Sequence, residues 1–262
     1  SMKTERKGNN YFQFYDDVTD YIAHIKEPID SGLRRASIDT VRYGAHWFGT
    51  KNMEEALDLA EKGWPEGLER AEKFSAELNE QIQGHLKLQE MYYDVTGDML
   101  DIGRFVAGEP EDFGSLVDTQ IPVRSVSPKI VRIVLNIATS AAISTETMEM
   151  RGAAVIAVID ALERHGKRVD LHLAFSARGY GDYIGHLSVH LKHAEEPLQL
   201  DKLAFLLAHP SSCRRLAFAA CEHMPDDVRK AVGFYMGSNY GMPCDTPLKG
   251  DITIQKILSG AD

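Results

Sequence analysis

The chain lacks the features that would place it in a membrane or in a secreted scaffold. Among its 262 residues no apolar run approaches the roughly 18 needed to span a bilayer. The opening stretch, Ser1 to Gln13, has no apolar signal core, so nothing suggests export; Ser1 before Met2 reads as an appended residue and is set aside. Only three cysteines occur, Cys213, Cys221 and Cys244, with no CxxC pair. So sparse and odd a set excludes a disulfide framework and fits a reduced, cytoplasmic setting. Cys213 is a thiol nucleophile only if it sits in an accessible, electropositive site; a buried free cysteine is the commoner case.

Missing motifs narrow the chemistry further. There is no GxGxxG after a strand and no GxxxxGK[ST], so the usual phosphate-cradling loops are not present. HExxH is absent, and Ser176-Ala177-Arg178-Gly179 does not supply the GxSxG turn of a hydrolase. Ten histidines include His172 and the pair His186 and His190, spaced i, i+4 on one strand face. No acidic residue stands between that pair, so they read as strand histidines, and neither a metal nor a cofactor is expected. Without a paired-carboxylate pattern either, the chain is expected to be non-catalytic.

What is present describes a globular protein with a sizeable core: 44% hydrophobic and 26% charged residues. Charge is uneven along the chain. Residues 1–120 hold 13 Lys and Arg against 24 Asp and Glu, a net of −11; residues 121–262 hold 16 against 15, a net of +1. An acidic half argues against uniform coating by nucleic acid but leaves room for a local basic groove on the other half.

Helical spacing runs through Val18, Tyr21, Ile22 and Ile25, closed by Pro28. Thr50 or Asn52 caps a second helix with Glu three residues on, and Gly63 ends it. Trp64-Pro65 opens a third, from about Glu66 to Met91. Residues 92–120 read as a connecting region with one or two short strands. Lys129 to Ile137 is a β-branched strand, Met150 to His165 an apolar helix, and Val169 to Phe175 and His186 to His193 are further strands. Leu198–Ala208, Cys213–His223 and Asp226–Phe234 follow as helices, then Ile252–Leu258 as a strand or short helix. This alternation predicts an α/β fold, with α+β as the alternative. An acidic helix-rich part, residues 1–120, is expected to pack on an open mixed sheet formed by residues 121–262, in one compact unit. A strand, a small hydroxyl loop and a long helix also begin a von Willebrand A-like domain. Asn136-Ile137-Ala138-Thr139-Ser140 stands where such domains carry Asp-x-Ser-x-Ser, so the second half is expected to be loosely A-domain-like without its cation site.

The remaining constellation joins cations to aromatics at loop ends. Arg178, Tyr180 and Tyr183 follow the second strand of the latter half. Arg124, Lys129 and Arg132 flank its first strand, Arg214 and Arg215 begin a helix, and Trp47 pairs with Lys51. Single strands of nucleic acid are held by such cationic tracks and stacking platforms. The competing reading pairs these arginines with the many carboxylates.

Several segments resemble an uncharacterised family of phage proteins: Trp47-Phe-Gly-Thr-Lys-Asn-Met-Glu-Glu-Ala-Leu-Asp-Leu-Ala60, Gly63-Trp-Pro-Glu-Gly67, Gly103-Arg-Phe-Val-Ala-Gly-Glu-Pro110, Arg151 to Leu162, and His209-Pro-Ser-Ser-Cys-Arg-Arg-Leu-Ala-Phe218. Within it the chain is similar to the Drc-type single-stranded-DNA-binding RNA polymerase cofactors of lytic podophages. That resemblance implies single-stranded DNA and a phage RNA polymerase as partners, a homo-oligomer, no membrane, and a place in the cytoplasm of the infected bacterial host. The alternative is a metal-free A-domain-like protein-interaction scaffold.

Overall fold

The computed structural model describes residues 1–30, 32–86, 130–235 and 240–258. Its centre is the unit predicted from periodicity. Strand β3 (Ile130–Asn136) leads through helix α6 (Thr145–Arg164) to β4 (Arg168–Arg178), which lies parallel to β3. Ser144 caps α6 by accepting the Thr147 N–H. The helix is apolar nearly all round because it is enclosed nearly all round. It packs against the sheet, along α5 (Pro65–Leu86) and against α7 (Leu200–Ala208). The crossing with α7 is close enough to need glycine: a Cβ on Gly152 would lie 2.2 Å from Ala208 Cα.

β4 turns back antiparallel into β5 (Ile184–Lys192), and β7 (Ile252–Ile254) adds parallel to the free side of β3. A two-residue strand, β6 (Met242–Pro243), pairs with the end of β4. The expected sheet is corrected at its other edge. Two strands come from the acidic first part: β1 (Met2–Lys7) and β2 (Asn10–Tyr15), an antiparallel hairpin whose second strand pairs parallel with β5. The described sheet therefore has seven strands, six along the path β1-β2-β5-β4-β3-β7 and the seventh, β6, off that path. Periodicity hid the hairpin for two reasons. β1 is exposed throughout and charged, as edge strands tend to be. β2 carries aromatics on both faces, so it shows no apolar–polar alternation.

One sheet face, with Tyr15, Ile133, Leu135, Leu171, Leu173, Phe175 and Val189, forms the core beneath the helices. The other carries Phe12, Phe14, His186, Ser188, His190, His172, Asp170 and Arg132, as the strand registers require. The capped helices form as expected. α1 (Val18–Lys26) buries Tyr21, Ile22 and Ile25; two single turns, α2 (Thr40–Tyr43) and α3 (Ala45–Phe48), lead to α4 (Met53–Lys62), which is capped by Asn52. The helix expected over Cys213–His223 is present, its first part π-helical, Ser212–Ala217, running into α8 (Phe218–Glu222); α9 (Asp226–Val232) follows. The boundary at residue 120 and the strands expected over 92–120 lie outside the described residues. Among those described, no helix is long and apolar enough to cross a membrane.

Candidate functional site

Arg214 and Arg215, expected on a solvated track, are only 2% and 0% exposed. Arg214 donates to Trp47 O (2.7 Å) and Ile143 O (2.6 Å), and its guanidinium lies 4.3 Å from the centroid of the Trp47 ring. Arg215 donates to Thr50 Oγ1 (2.7 Å), Ser37 O (2.9 Å) and Thr50 O (3.0 Å), and covers Phe48 at 3.8 Å. A planar fork of donors can satisfy several loop carbonyls at once, which is why arginine rather than lysine tolerates such burial. Burial pushes the Arg215 pKa down to about 10, so the charge persists at neutral pH. The pair therefore fastens the 37–50 segment to the interior and cannot reach a phosphate in solvent. Trp47 is drawn into the same structure. Its ring stacks on Tyr43 at 4.7 Å, and its Nε1 donates to Ala141 O. Lys51 is exposed, but its backbone N–H closes a capping box with Glu55.

Arg132 is exposed, with its Nε donating to Asp170 Oδ2 at 2.8 Å, the pairing the competing reading expected. Arg124 and Lys129 lie outside the described residues. The three residues that do share one accessible place are Arg178, Tyr180 and Tyr183. Arg178 ends β4 and is exposed; Tyr180 is 88% exposed and Tyr183 41%. The turn between β4 and β5 is closed by Gly179 N–H donating to Tyr183 O at 2.8 Å. It is seated on α9 so closely that a Cβ on Gly179 would lie 2.1 Å from Ala231 O. The tip of the N-terminal hairpin fastens to it, because Asn9 Nδ2 donates to Gly181 O and Ile184 N–H to Asn9 O. That brings two further cations nearby: Arg6 over the Tyr11 ring at 5.4 Å and Lys7 over Phe12 at 6.0 Å. Arg6 is forked onto Asp227, and Lys7 pairs with Glu5. The result is a rim of exposed tyrosines and cations at one end of the sheet.

The non-core sheet face holds a second cluster. His172, Asp170 and His190 approach one another within 4.8 Å through their ligand atoms; His186 does not join them. His186 instead donates from Nε2 to Asn10 Oδ1 (3.1 Å) and accepts at Nδ1 from the Ser176 hydroxyl (2.8 Å). The cluster fits a cation poorly. Asp170 already accepts from Arg132 and from His190 (2.6 Å), and the His172 and His190 rings stack 4.1 Å apart at 15°. An imidazole ligand needs the ion in its ring plane, and two nearly parallel planes cannot share one. Burial and the neighbouring His190 lower the His172 pKa, keeping that ring neutral. Its buried Nε2 has no hydrogen-bond partner and faces Asp170 Oδ2 at 3.5 Å.

A pocket opens elsewhere, beyond the carboxyl ends of β3 and β7, lined by Thr139, Met148, Arg151, His209, Ser212 and Cys213 among others. Cys213 is 2% exposed there, and burial raises its thiol pKa to about 11, so it is protonated at neutral pH and does not meet the requirement for a nucleophile. The hydroxyl loop that stood for an A-domain cation site is spent locally: Thr139 donates to Ile137 O, and Ser144 serves as the α6 cap.

A family model described as a domain of unknown function, DUF7192, matches residues 2–262. The chain belongs to the DUF7192 family. No curated protein and no solved structure matches it. In this DUF7192 chain, sequence reasoning missed Arg6 and Lys7, Asp170 and Arg151 as parts of polar sites. Arg151 had a signal: it is a lone cation heading the apolar run Gly152 to Ile159. The others had none, because each acquires its neighbours only by strand pairing.

Proposed function

We propose that this DUF7192 protein binds single-stranded nucleic acid without cleaving it, through the rim formed by the β4–β5 turn and the N-terminal hairpin. The observation that carries the proposal is the exposure of Tyr180 and Tyr183 beside Arg178, on a turn fastened to the cation-bearing hairpin tip. Exposed tyrosine faces offer sequence-tolerant stacking, and the cations offer phosphate contacts. The resemblance to Drc-type proteins supplies the finer part of the proposal: DNA as the strand, and a phage RNA polymerase in the infected cell as the protein partner. Relative to the expected site, the proposed one keeps Arg178, Tyr180 and Tyr183, adds Arg6 and Lys7, and drops Trp47, Lys51, Arg132, Arg214 and Arg215; Arg124 and Lys129 lie outside the described residues.

Titration of fluorescent oligo-dT and of duplex DNA at several salt concentrations tests this. The expected outcome is a preference for oligo-dT with affinity falling as salt rises. Tyr180→Ala should cost about 1–3 kcal/mol of binding. Arg178→Glu should lower the logarithmic salt slope by about 0.7 for each phosphate it no longer neutralises. Circular dichroism must show both variants folded. If folded variants bind like the parent, the rim is not the site. If the parent binds neither DNA, the interaction-scaffold alternative takes its place.

A further inference from the structure

Arg151 is a half-buried cation with no carboxylate partner among the described residues. Its guanidinium donates to Asn136 O at 3.2 Å and to Gln255 O, both neutral carbonyls. No ion pair joins it to a carboxylate among the described residues, and the same holds for Arg214 and Arg215. Arg214 and Arg215 are closed off by protein groups, but Arg151 borders the pocket. Burial lowers its pKa only to about 10, so it carries its charge at neutral pH. Withdrawing a charge from water is costly unless an opposite charge or a full set of acceptors meets it. Two carbonyls leave part of a five-donor fork unmatched.

The surroundings favour a negative group. The Arg151 and Arg214 guanidiniums both act on Cys213, although its burial outweighs them and keeps the thiol protonated. The pocket lies beyond the carboxyl ends of the parallel strands β3 and β7 and against the first two turns of the long helix α6. Ligands of open α/β sheets bind at that end, and the positive end of a helix dipole favours an anion. Its enclosed space is about 20 Å³, roughly the room of one water, behind a wider open mouth, so only the head of a small ligand can enter. The Thr139 and Ser212 hydroxyls on its wall donate to Ile137 O and Leu206 O, which leaves the guanidinium as the principal donor.

We propose that this pocket is a binding site for a small oxyanion, a phosphoryl or carboxylate group, held by Arg151. It is separate from the nucleic-acid rim and does not depend on it. Calorimetric titration with inorganic phosphate and, in a second arm, with acetate tests it, using chloride at matched ionic strength as the control. The expected result is saturable binding in at least one arm; the arm that responds names the group. Arg151→Gln should weaken that binding at least about tenfold. Arg151→Lys, which keeps the charge but loses the fork, should fall between parent and Gln variant. Tyr180→Ala should bind the anion like the parent, so failure of one site is distinguishable from failure of the other. Absence of saturable binding in both arms by the parent overturns the proposal. So does unchanged affinity in either Arg151 variant; should Arg151→Gln not fold, parent and Arg151→Lys decide the matter.

Discussion

Arg214 and Arg215 are neighbours in the chain, yet each is held by different carbonyls: Trp47 O and Ile143 O for Arg214, Ser37 O and Thr50 O for Arg215. A π-helical turn, such as the one that carries them, is often found where a fold has a local structural or functional demand. Here it coincides with two inward guanidiniums, which aromatic rings and main-chain oxygens stabilise in place of carboxylates. Next to them His209 is held neutral. It accepts the Ser211 N–H at Nδ1 and packs between Trp64 and Phe205. Burial lowers its pKa to about 4, with a backbone hydrogen bond involving Gly49 acting the other way. A histidine depressed in this way stabilises the fold fully above its unfolded value near 6.5. Between that value and about 4 the unfolded chain binds a proton that the folded chain refuses, so stability falls as pH falls through this window. The full loss is about 3 kcal/mol for one such group. Urea unfolding at pH 7 and pH 4.5 should therefore show a drop, and His209→Gln should show a smaller one. An equal drop in both proteins would mean that other groups carry the acid sensitivity.

At the scale of elements, the decisive contact is between α6 and α7. Gly152 lets the backbones meet, and the meeting sets Arg151 at the pocket wall beside the end of α7. Gly152→Ala has a better helix former at the same position, so propensity alone predicts a gain of up to about 1 kcal/mol. Close packing predicts the reverse. The added methyl would sit 2.2 Å from Ala208 Cα, and backbone cannot give way as a flexible side chain can. Overpacking of this kind costs about 1–3 kcal/mol, so net destabilisation is expected in thermal or urea melts. A variant as stable as the parent would show that the helices can separate freely. Two helices were legible because each carries its own signals: Asn52 with Glu55, and the core-facing Tyr21, Ile22 and Ile25; the Ser144 cap was not read, and α6 begins at Thr145 where the apolar pattern placed its start at Met150. The hairpin was not legible, because an edge strand such as Met2–Lys7 is charged to discourage pairing with other chains and shows no apolar period.

Across the whole molecule, charge is distributed more deliberately than the acidic and near-neutral halves suggested. Exposed and half-buried cations meet carboxylates across long sequence separations, as in Arg6–Asp227, Arg35–Glu222 and Arg70–Glu149. The half-buried Arg151 and the buried Arg214 and Arg215 do not, among the described residues. On the far sheet face, Asp170 accepts from Arg132 and His190, and the His172 ring stacks on His190. The purified protein is accordingly expected to hold no stoichiometric divalent metal, and EDTA should leave its melting temperature unchanged. One zinc per chain by elemental analysis, absent from His172→Ala, would show that the rings rotate to accept an ion.

Local chemistry by itself determined the fold class, the capped helices and the β-branched strand that starts the parallel unit. Period, caps and breakers act within a few residues and need no partner to be read. Only the tertiary structure decided that the N-terminal hairpin completes the sheet beside β5. Only it buried Arg214 and Arg215, left Arg178, Tyr180 and Tyr183 at an exposed rim, and set Arg151 at a pocket. Whether an arginine beside an aromatic is a solvated contact or an interior clamp depends on which distant carbonyls come within reach of its fork. Chain topology sets that distance, and no local spacing encodes it.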